Sequence, residues 1–87
     1  MTDLIILATL LSRPKHGYQI KHEAGMILGQ GILHNNLVYP LLRRFMNDKL
    51  VSRRTVPGER GQTRHRYAIT FLGRKQLVAR LSAFSEQ

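Results

Sequence analysis

The spacing of apolar side chains changes from helical to strand-like and back along this chain, and that pattern limits the folds open to it. Before residue 50, apolar residues recur at the spacing of amphipathic helices, in three segments separated by a proline and by glycines. From Leu50 to Ile69 the spacing is typical of two strands, and helical spacing then returns. The sequence predicts a mainly α fold with a small β-hairpin, in the order helix, helix, helix, hairpin, helix.

The first two helices are predicted to be short and packed together. Residues 4–11 are apolar almost all the way round a helix, with Thr2 or Asp3 as the cap and Pro14 as the stop. A second helix opens at His16 and is broken at Gly29 and Gly31. Its apolar residues at helical spacing are Ile20, Ala24, Ile27 and Leu28.

A third helix has one buried stripe and one polar face. Asn35 and Asn36 are suitable capping residues, and Pro40 is tolerated only near the first turn, so the helix should begin close to Asn36 and run to about Lys49. The apolar stripe is Val38, Leu41, Leu42 and Phe45. The polar face is Asn36, Tyr39, Pro40, Arg43 and Asn47, with Arg44 at its flank. Arginine can pair with guanine and asparagine with adenine, so this face suits the major groove of DNA.

Two predicted strands, Val51–Val56 and Arg64–Ile69, flank a turn-prone stretch rich in glycine. Tyr67 shares a strand face with Ile69 and is predicted to lie in the core. A two-stranded hairpin is marginally stable alone, so it should pack on the helices.

The last predicted helix, capped by Thr70, carries an apolar stripe larger than a small core needs. We expect this stripe to form a two-fold dimer. Its residues are Leu77, Val78, Leu81 and Phe84.

Positive charge is concentrated on the third helix and the hairpin. The chain has 14 Lys and Arg against 5 Asp and Glu, a formal charge of +9, which favours a polyanionic partner. Residues 43–66 hold eight of these basic side chains and only two acids. Such placement is typical of a winged helix-turn-helix domain, which presents these two elements to a duplex.

The sequence offers little material for catalysis or for a metal site. It has no cysteine, its four histidines lack ligand spacing, and it has neither a glycine-rich phosphate loop nor a Ser-His-acid set. We expect no enzymatic activity, no metal and no cofactor. Because the apolar run at residues 4–11 is far shorter than the roughly 20 residues that span a membrane, we also expect no membrane anchor or signal peptide. The absence of cysteine fits a cytoplasmic protein, which is the location we expect.

Three segments together resemble the PadR family of transcriptional regulators: His16–Ile20, with the sequence HGYQI; Val38–Phe45, with VYPLLRRF; and Arg64–Gly73, with RHRYAITFLG. The resemblance implies a dimeric, repressor-like protein whose third helix reads the major groove while the wing reaches the adjacent minor groove. It also implies a possible small-molecule effector. Residues 1–70 would form the DNA-binding domain, and residues 71–87 a dimerisation helix packed on it.

The predicted contacts with double-stranded DNA combine the polar face with residues that the resemblance implies. They are Lys15, Tyr18, Asn35, Asn36, Tyr39, Arg43, Arg44, Asn47, Arg60, Arg64 and Arg66. Tyr39 is expected near the DNA backbone, whereas Gly17 is expected to meet a packing requirement. The family usually has a small hydroxyl residue where this chain has Leu37, so Asn35 or Asn36 would replace that phosphate contact.

Two other functions fit the same charge. A winged helix that binds RNA or a ribonucleoprotein would use exposed stacking aromatics, for which Tyr18 and Tyr39 are the candidates. A protein-interaction module would dock its basic face on an acidic partner. For a DNA-binding protein, duplex DNA should displace a bound probe better than single-stranded RNA does, and the reverse would favour the RNA-binding alternative. Binding to an acidic partner without affinity for duplex DNA would favour the protein-interaction alternative.

Overall fold

The computed structural model describes residues 1–85, with side chains described through residue 83. Four helices and three strands alternate along it in nearly the predicted order. The elements are α1 (Thr2–Ala8), β1 (Lys15–His16), α2 (Gly17–Leu28), α3 (Asn35–Asn47), β2 (Val51–Pro57), β3 (Thr63–Ile69) and α4 (Phe71–Ser85). The mainly α architecture with a small hairpin is confirmed.

Helix α1 is shorter than predicted. It ends at Ala8, with Thr9 as its C-cap, so Pro14 does not terminate it. Neither predicted N-cap is the observed one: Met1 occupies that position, although an Asp3 carboxylate oxygen accepts the Leu4 N–H at 2.9 Å. The helix is mostly buried, as expected, because α2 and α4 both pack against it.

Strand β1 is absent from the prediction, which had a two-stranded hairpin. Lys15 pairs with Tyr67 and His16 with Arg66, so the sheet has three antiparallel strands in the order β1-β3-β2. Two residues are too few to show a period of two in the sequence. The extra strand attaches the hairpin to the start of α2, which is the support that a lone hairpin needs.

Burial of Lys15 corrects one predicted DNA contact. The residue is 4% exposed, and its ammonium donates to the Thr9 carbonyl and to Ser12 Oγ. It also forms an ion pair with Glu23 at 2.8 Å. A buried ammonium needs such partners to offset its lost hydration. Lys15 therefore connects the end of α1 to α2 and is not available to a ligand.

Helix α3 begins one residue earlier than predicted and is capped by a different side chain. His34 is the N-cap, and its Nδ1 accepts the Asn36 N–H at 3.1 Å, so neither asparagine caps the helix. The helix ends at Asn47, and Lys49 follows with a left-handed φ of 64° that turns the chain into the wing, which is the hairpin formed by β2 and β3. Val38 and Leu42 are fully buried, so α3 faces the core with its predicted stripe.

The wing and α4 are joined through Thr70. Its hydroxyl donates to the Lys49 carbonyl at 2.7 Å and accepts the Gly73 N–H at 3.0 Å, which confirms the predicted cap and also closes the base of the hairpin. Tyr67 is buried in the core, as predicted. Leu77 is also buried there, so α4 packs on the same core.

Asp3 links three helices electrostatically. Its Oδ2 lies 2.9 Å from Arg80 Nη1 on α4 and 3.7 Å from Arg44 Nη2 on α3. The hydrogen bond from Arg80 is the main reason that the pKa of Asp3 falls from 3.8 to about 2, with smaller contributions from the N-terminal ammonium and the Leu4 N–H and a partial opposition from burial.

Replacing Asp3 should therefore have a pH-dependent effect on stability. Because the folded state lowers this pKa, the carboxylate stabilises the fold above pH 4, and the contribution disappears as the pH falls toward 2. We expect Asp3→Asn to lower the free energy of unfolding by roughly 1 kcal/mol at pH 7, allowing for solvent screening. Urea titrations of both proteins at pH 7 and pH 2 would measure it, and a loss of equal size at both pH values would contradict the assignment.

Candidate nucleic-acid interface

The polar face of α3 points away from the core. Asn36, Pro40, Arg43 and Asn47 are exposed, on the side of the helix opposite the buried stripe. A helix puts residues three, four and seven positions apart on one side, so these side chains form a continuous surface. Arg43 is its one cation, with five N–H donors in a fixed geometry.

The wing presents a row of arginines. Arg64 and Arg66 alternate with the buried Tyr67 along β3, so both lie on the sheet face turned away from the core. Arg54 on β2 lies directly opposite Arg66 in the register. Like charges placed opposite each other destabilise a sheet, and an anionic ligand would relieve that repulsion. Arg60 is exposed in the turn at the tip.

Arg54 was not among the predicted site residues. The strand register that pairs it with Arg66 is what brings it into the arginine row. A sequence signal did exist, because Arg54 falls within the predicted first strand. The face to which it belongs depends on the exact register, and that becomes known only once the hairpin is built.

A groove of about 710 Å³ runs between the start of α2, α3 and the wing. It contains three tyrosines and one arginine, and so offers both aromatic surface and hydrogen-bond donors. Its lining residues are His16, Gly17, Tyr18, Gln19, Tyr39, Arg64, His65 and Tyr67. The groove therefore contains residues from all three segments that resemble PadR regulators. The second segment contributes only Tyr39.

Gly17 fits this groove because a side chain there would collide with Tyr39. A Cβ on Gly17 would lie 2.5 Å from Tyr39 Oη, which agrees with the predicted packing role. Burial, and to a lesser extent the neighbouring Tyr67, raise the pKa of Tyr39 above its ordinary value of 10.0. The Tyr39 hydroxyl thus stays protonated at neutral pH and can donate a hydrogen bond to an anion.

Lys21 is a second residue that sequence reasoning missed. Its ammonium donates to Asn35 Oδ1 at 2.7 Å and lies 5.8 Å from the ring centroids of both Tyr18 and Tyr39. Tyr18 is 62% exposed and packs edge-on against His22. The lysine thus adds a positive charge beside the groove, and it occupies the Asn35 oxygen. A single lysine on α2 has no distinguishing sequence context, so only the packing of α2 on α3 identifies it.

Arg44 does not join the Arg43 surface. Its side chain is 57% exposed, and the guanidinium is turned toward α1, where Asp3 lies. Successive residues are about 100° apart on a helix, so these two neighbours leave α3 on different sides. Among the arginines predicted to contact DNA, Arg43 and those of the wing are therefore exposed away from α1, whereas Arg44 lies on the side of α3 that faces α1.

The predicted dimerisation stripe is divided as well. Leu77 is 1% exposed and belongs to the core of a single chain, which corrects its assignment to an interface. Val78 and Leu81 are exposed on α4. The side chain of Phe84 lies outside those that the structure describes.

Within the described chain, no three His, Cys, Asp or Glu side chains come close enough together to hold a metal ion. None of the helices in residues 1–85 is both long and apolar enough to cross a membrane.

Solved structures show the same fold. A proposed transcriptional regulator from Thermoplasma acidophilum is 30% identical, with a TM-score of 0.86 over 97% of this chain and 80% of that one. A PadR-like transcription factor from Bacteroides fragilis is 26% identical, with a TM-score of 0.83 over the same shares. Bacillus subtilis PadR, solved in complex with operator DNA, is 24% identical; the match covers 91% of this chain and 46% of that one, with a TM-score of 0.80.

The sequence comparisons agree with the structural ones at the level of the family. No curated protein matches the chain at a significant level. Residues 6–79 match the transcriptional regulator PadR-like family, which is most of the chain and includes the groove, the α3 face and the wing. The winged-helix fold predicted from the sequence is thereby confirmed, and the protein belongs to the PadR-like family of transcriptional regulators.

Proposed function

We propose that the protein is a sequence-specific regulator, a repressor, that binds double-stranded DNA through α3 and the wing. The observation that carries the proposal is the shared groove, which brings Tyr39 of α3 and Arg64 of the wing onto one cationic surface. The operator complex of the Bacillus subtilis relative supports DNA as the polyanion. On this proposal, residues 1–70 form the DNA-binding part and α4 the dimerisation helix.

The two halves of the surface have different roles in this proposal. Arg43, with Asn36 and Asn47 beside it, reads base edges in the major groove, because these are the side chains that pair specifically with guanine and adenine. Arg64 and Arg66 hold the phosphate backbone or the narrow minor groove. Tyr18, Tyr39 and Arg60 complete the contacts with the backbone. Asn36 replaces the hydroxyl contact that Leu37 cannot make.

Substituting one arginine in each half should separate base reading from backbone binding. We expect Arg43→Ala to weaken the preferred duplex by roughly 1–3 kcal/mol more than it weakens a scrambled duplex. Arg64→Ala should weaken both duplexes about equally, because a phosphate contact carries no sequence information. Fluorescence anisotropy at one fixed salt concentration, with a duplex selected from a random pool, would measure both.

The control is Gln76→Ala, which shortens an exposed side chain of α4 that lies outside both the α3 face and the arginine row. Its effect should be small and equal on both duplexes. Equal losses for Arg43→Ala on the preferred and scrambled duplexes would exclude Arg43 from base reading. Displacement of the duplex by single-stranded RNA at lower concentration than by competitor DNA would favour the RNA-binding alternative, for which Tyr18 supplies an exposed ring.

We further propose that α4 forms the dimer through Val78 and Leu81, which are 61% and 48% exposed. Phe71, at 78% exposed, lies on the same side of α4 as Val78, because seven residues make about two helical turns. Large apolar side chains grouped on one side of a helix are typical of an interface. A two-fold axis would place two α3 helices on successive turns of one duplex.

A charge on the exposed stripe of α4 should therefore dissociate the dimer. We expect light scattering at tens of micromolar protein to give twice the chain mass for the native sequence and the single-chain mass for Leu81→Lys, because a buried unpaired ammonium is costly. The control, Gln76→Lys, places the same charge on another side of α4. A native protein with the mass of one chain would contradict this interface.

A further inference from the structure

Asp3 is surrounded by cationic groups from three parts of the fold. Its carboxylate is largely sheltered, with 19% of the side chain exposed. Oδ1 lies 3.3 Å from the N-terminal ammonium, and Oδ2 lies between Arg80 of α4 and Arg44 of α3. The Arg80 contact is a hydrogen bond at 2.9 Å, whereas Arg44 is 3.7 Å away. Arg80 thus anchors the carboxylate, and Arg44 is the looser partner.

Arg44 is the cation of this cluster that lies beside the proposed DNA surface. It follows Arg43 directly on α3, but its guanidinium is drawn toward α1 and lies 5.9 Å from the Phe45 ring. The side chain is more than half exposed and has several rotatable bonds. It can therefore leave Asp3 and reach a phosphate at the edge of the α3 surface without any movement of the helix.

We infer that Asp3 is a positioning residue that restrains Arg44 on the α1 side of α3, so that DNA binding must replace a carboxylate with a phosphate at this guanidinium. The inference rests on the proposed DNA-binding function. Anchoring by Arg80 explains how Asp3 stays in place when Arg44 departs. Because of this exchange, Asp3 lowers the affinity for duplex DNA. The effect should be the same for duplexes of any sequence, because Arg44 would contact the phosphate backbone and not the bases.

A double-mutant cycle tests this restraint. Asp3→Asn keeps the size of the side chain and an oxygen that can accept from Arg80, but removes the charge that holds Arg44. Since an exposed ion pair contributes little, we expect Asp3→Asn to tighten duplex binding by about two- to five-fold. In an Arg44→Gln background the same substitution should give no gain, because the restrained cation is gone. The assays are run at a temperature at which every variant is folded.

Glu59→Gln is the control for net charge. Glu59 is exposed in the turn between β2 and β3, on a different element from Arg44, and within the described residues it forms no ion pair. Removing its charge should raise affinity equally with and without Arg44. If Asp3→Asn also gives the same gain in both backgrounds, it acts only through net charge and the inference is overturned.

A measurement without DNA separates failure of this inference from failure of the proposed function. In the free protein, ¹⁵N relaxation of the Arg44 Nε–H group should show a more mobile side chain in Asp3→Asn and an unchanged one in Glu59→Gln. Unchanged mobility in Asp3→Asn overturns the restraint whatever the protein binds. A different outcome would be higher Arg44 mobility in Asp3→Asn together with no duplex binding by the native protein. That outcome would overturn the DNA-binding proposal, and with it the role of the restraint in DNA binding.

Discussion

Raising the salt concentration from 50 to 200 mM is expected to weaken duplex binding by about 10³- to 10⁵-fold, if a dimer neutralises roughly 6–10 phosphates. Each bound phosphate releases condensed counterions, so affinity falls steeply with added salt. The cations that face the proposed duplex are all exposed: Arg43 on α3 and Arg54, Arg60, Arg64 and Arg66 on the wing. Lys49 and Arg53 lie nearby on the same segment. Lys15 contributes nothing, because it is buried and paired.

The slope of this salt dependence can be assigned to individual residues. Arg64→Gln, present in both subunits, should reduce the slope of log K against log salt by about 2, since each phosphate contact contributes nearly 1. Gln76→Lys is the control, because Gln76 is exposed on α4, on another side of the helix from the proposed dimer stripe. It should leave the slope unchanged. A nearly flat salt dependence of the native protein would exclude a surface that tracks phosphates.

Gly25→Ala is expected to lower the free energy of unfolding by about 3 kcal/mol, at the upper end of the range for overpacking. A Cβ on Gly25 would lie 1.5 Å from the Gly31 carbonyl oxygen and 3.2 Å from the Leu33 N, both of them backbone atoms that cannot rotate away. The loop between α2 and α3 would have to move. Because that loop sets the position of α3, duplex binding should weaken together with stability.

Gly29→Ala is the matched control for Gly25→Ala in the same loop. Gly29 has a φ of 68° but open space around it, so its substitution costs backbone strain alone, about 1 kcal/mol. Urea titrations followed by circular dichroism, at one protein concentration because a dimer is expected, would compare the two. Equal and small losses would show that the loop accommodates a Cβ at position 25, and would contradict the tight approach of its backbone.

Apolar periodicity was sufficient to place the four helices and the hairpin, and Tyr67 and the Thr70 cap followed from the strand and helix patterns. These features are local: each depends on residues within one or two turns or on one strand face. The errors lie at boundaries. His34 caps α3 in place of Asn35 or Asn36 because histidine Nδ1 can accept the Asn36 N–H, which capping preferences do not rank highly.

The candidate site in the structure differs from the predicted one at a few residues, and contacts between segments distant in sequence explain each difference. Lys15 is buried and does not belong to the site, because Glu23, eight positions later, lies beside it once α2 packs on α1. Lys21 was gained because α2 places its ammonium near Tyr39, and Leu77 left the interface because α4 turns it into the core. Arg44 was redirected by Asp3, which is far from it in sequence.

The sequence by itself therefore determined the order of elements, the apolar stripes, the basic α3 and wing segment, and the family resemblance. Each of these is carried by residue type and by spacing along a single element. Only the tertiary structure decided which cations are free. A charged side chain is available or occupied according to its neighbours in space. The buried ammonium of Lys15 already contacts a carboxylate and two other oxygens, so it cannot also contact a duplex.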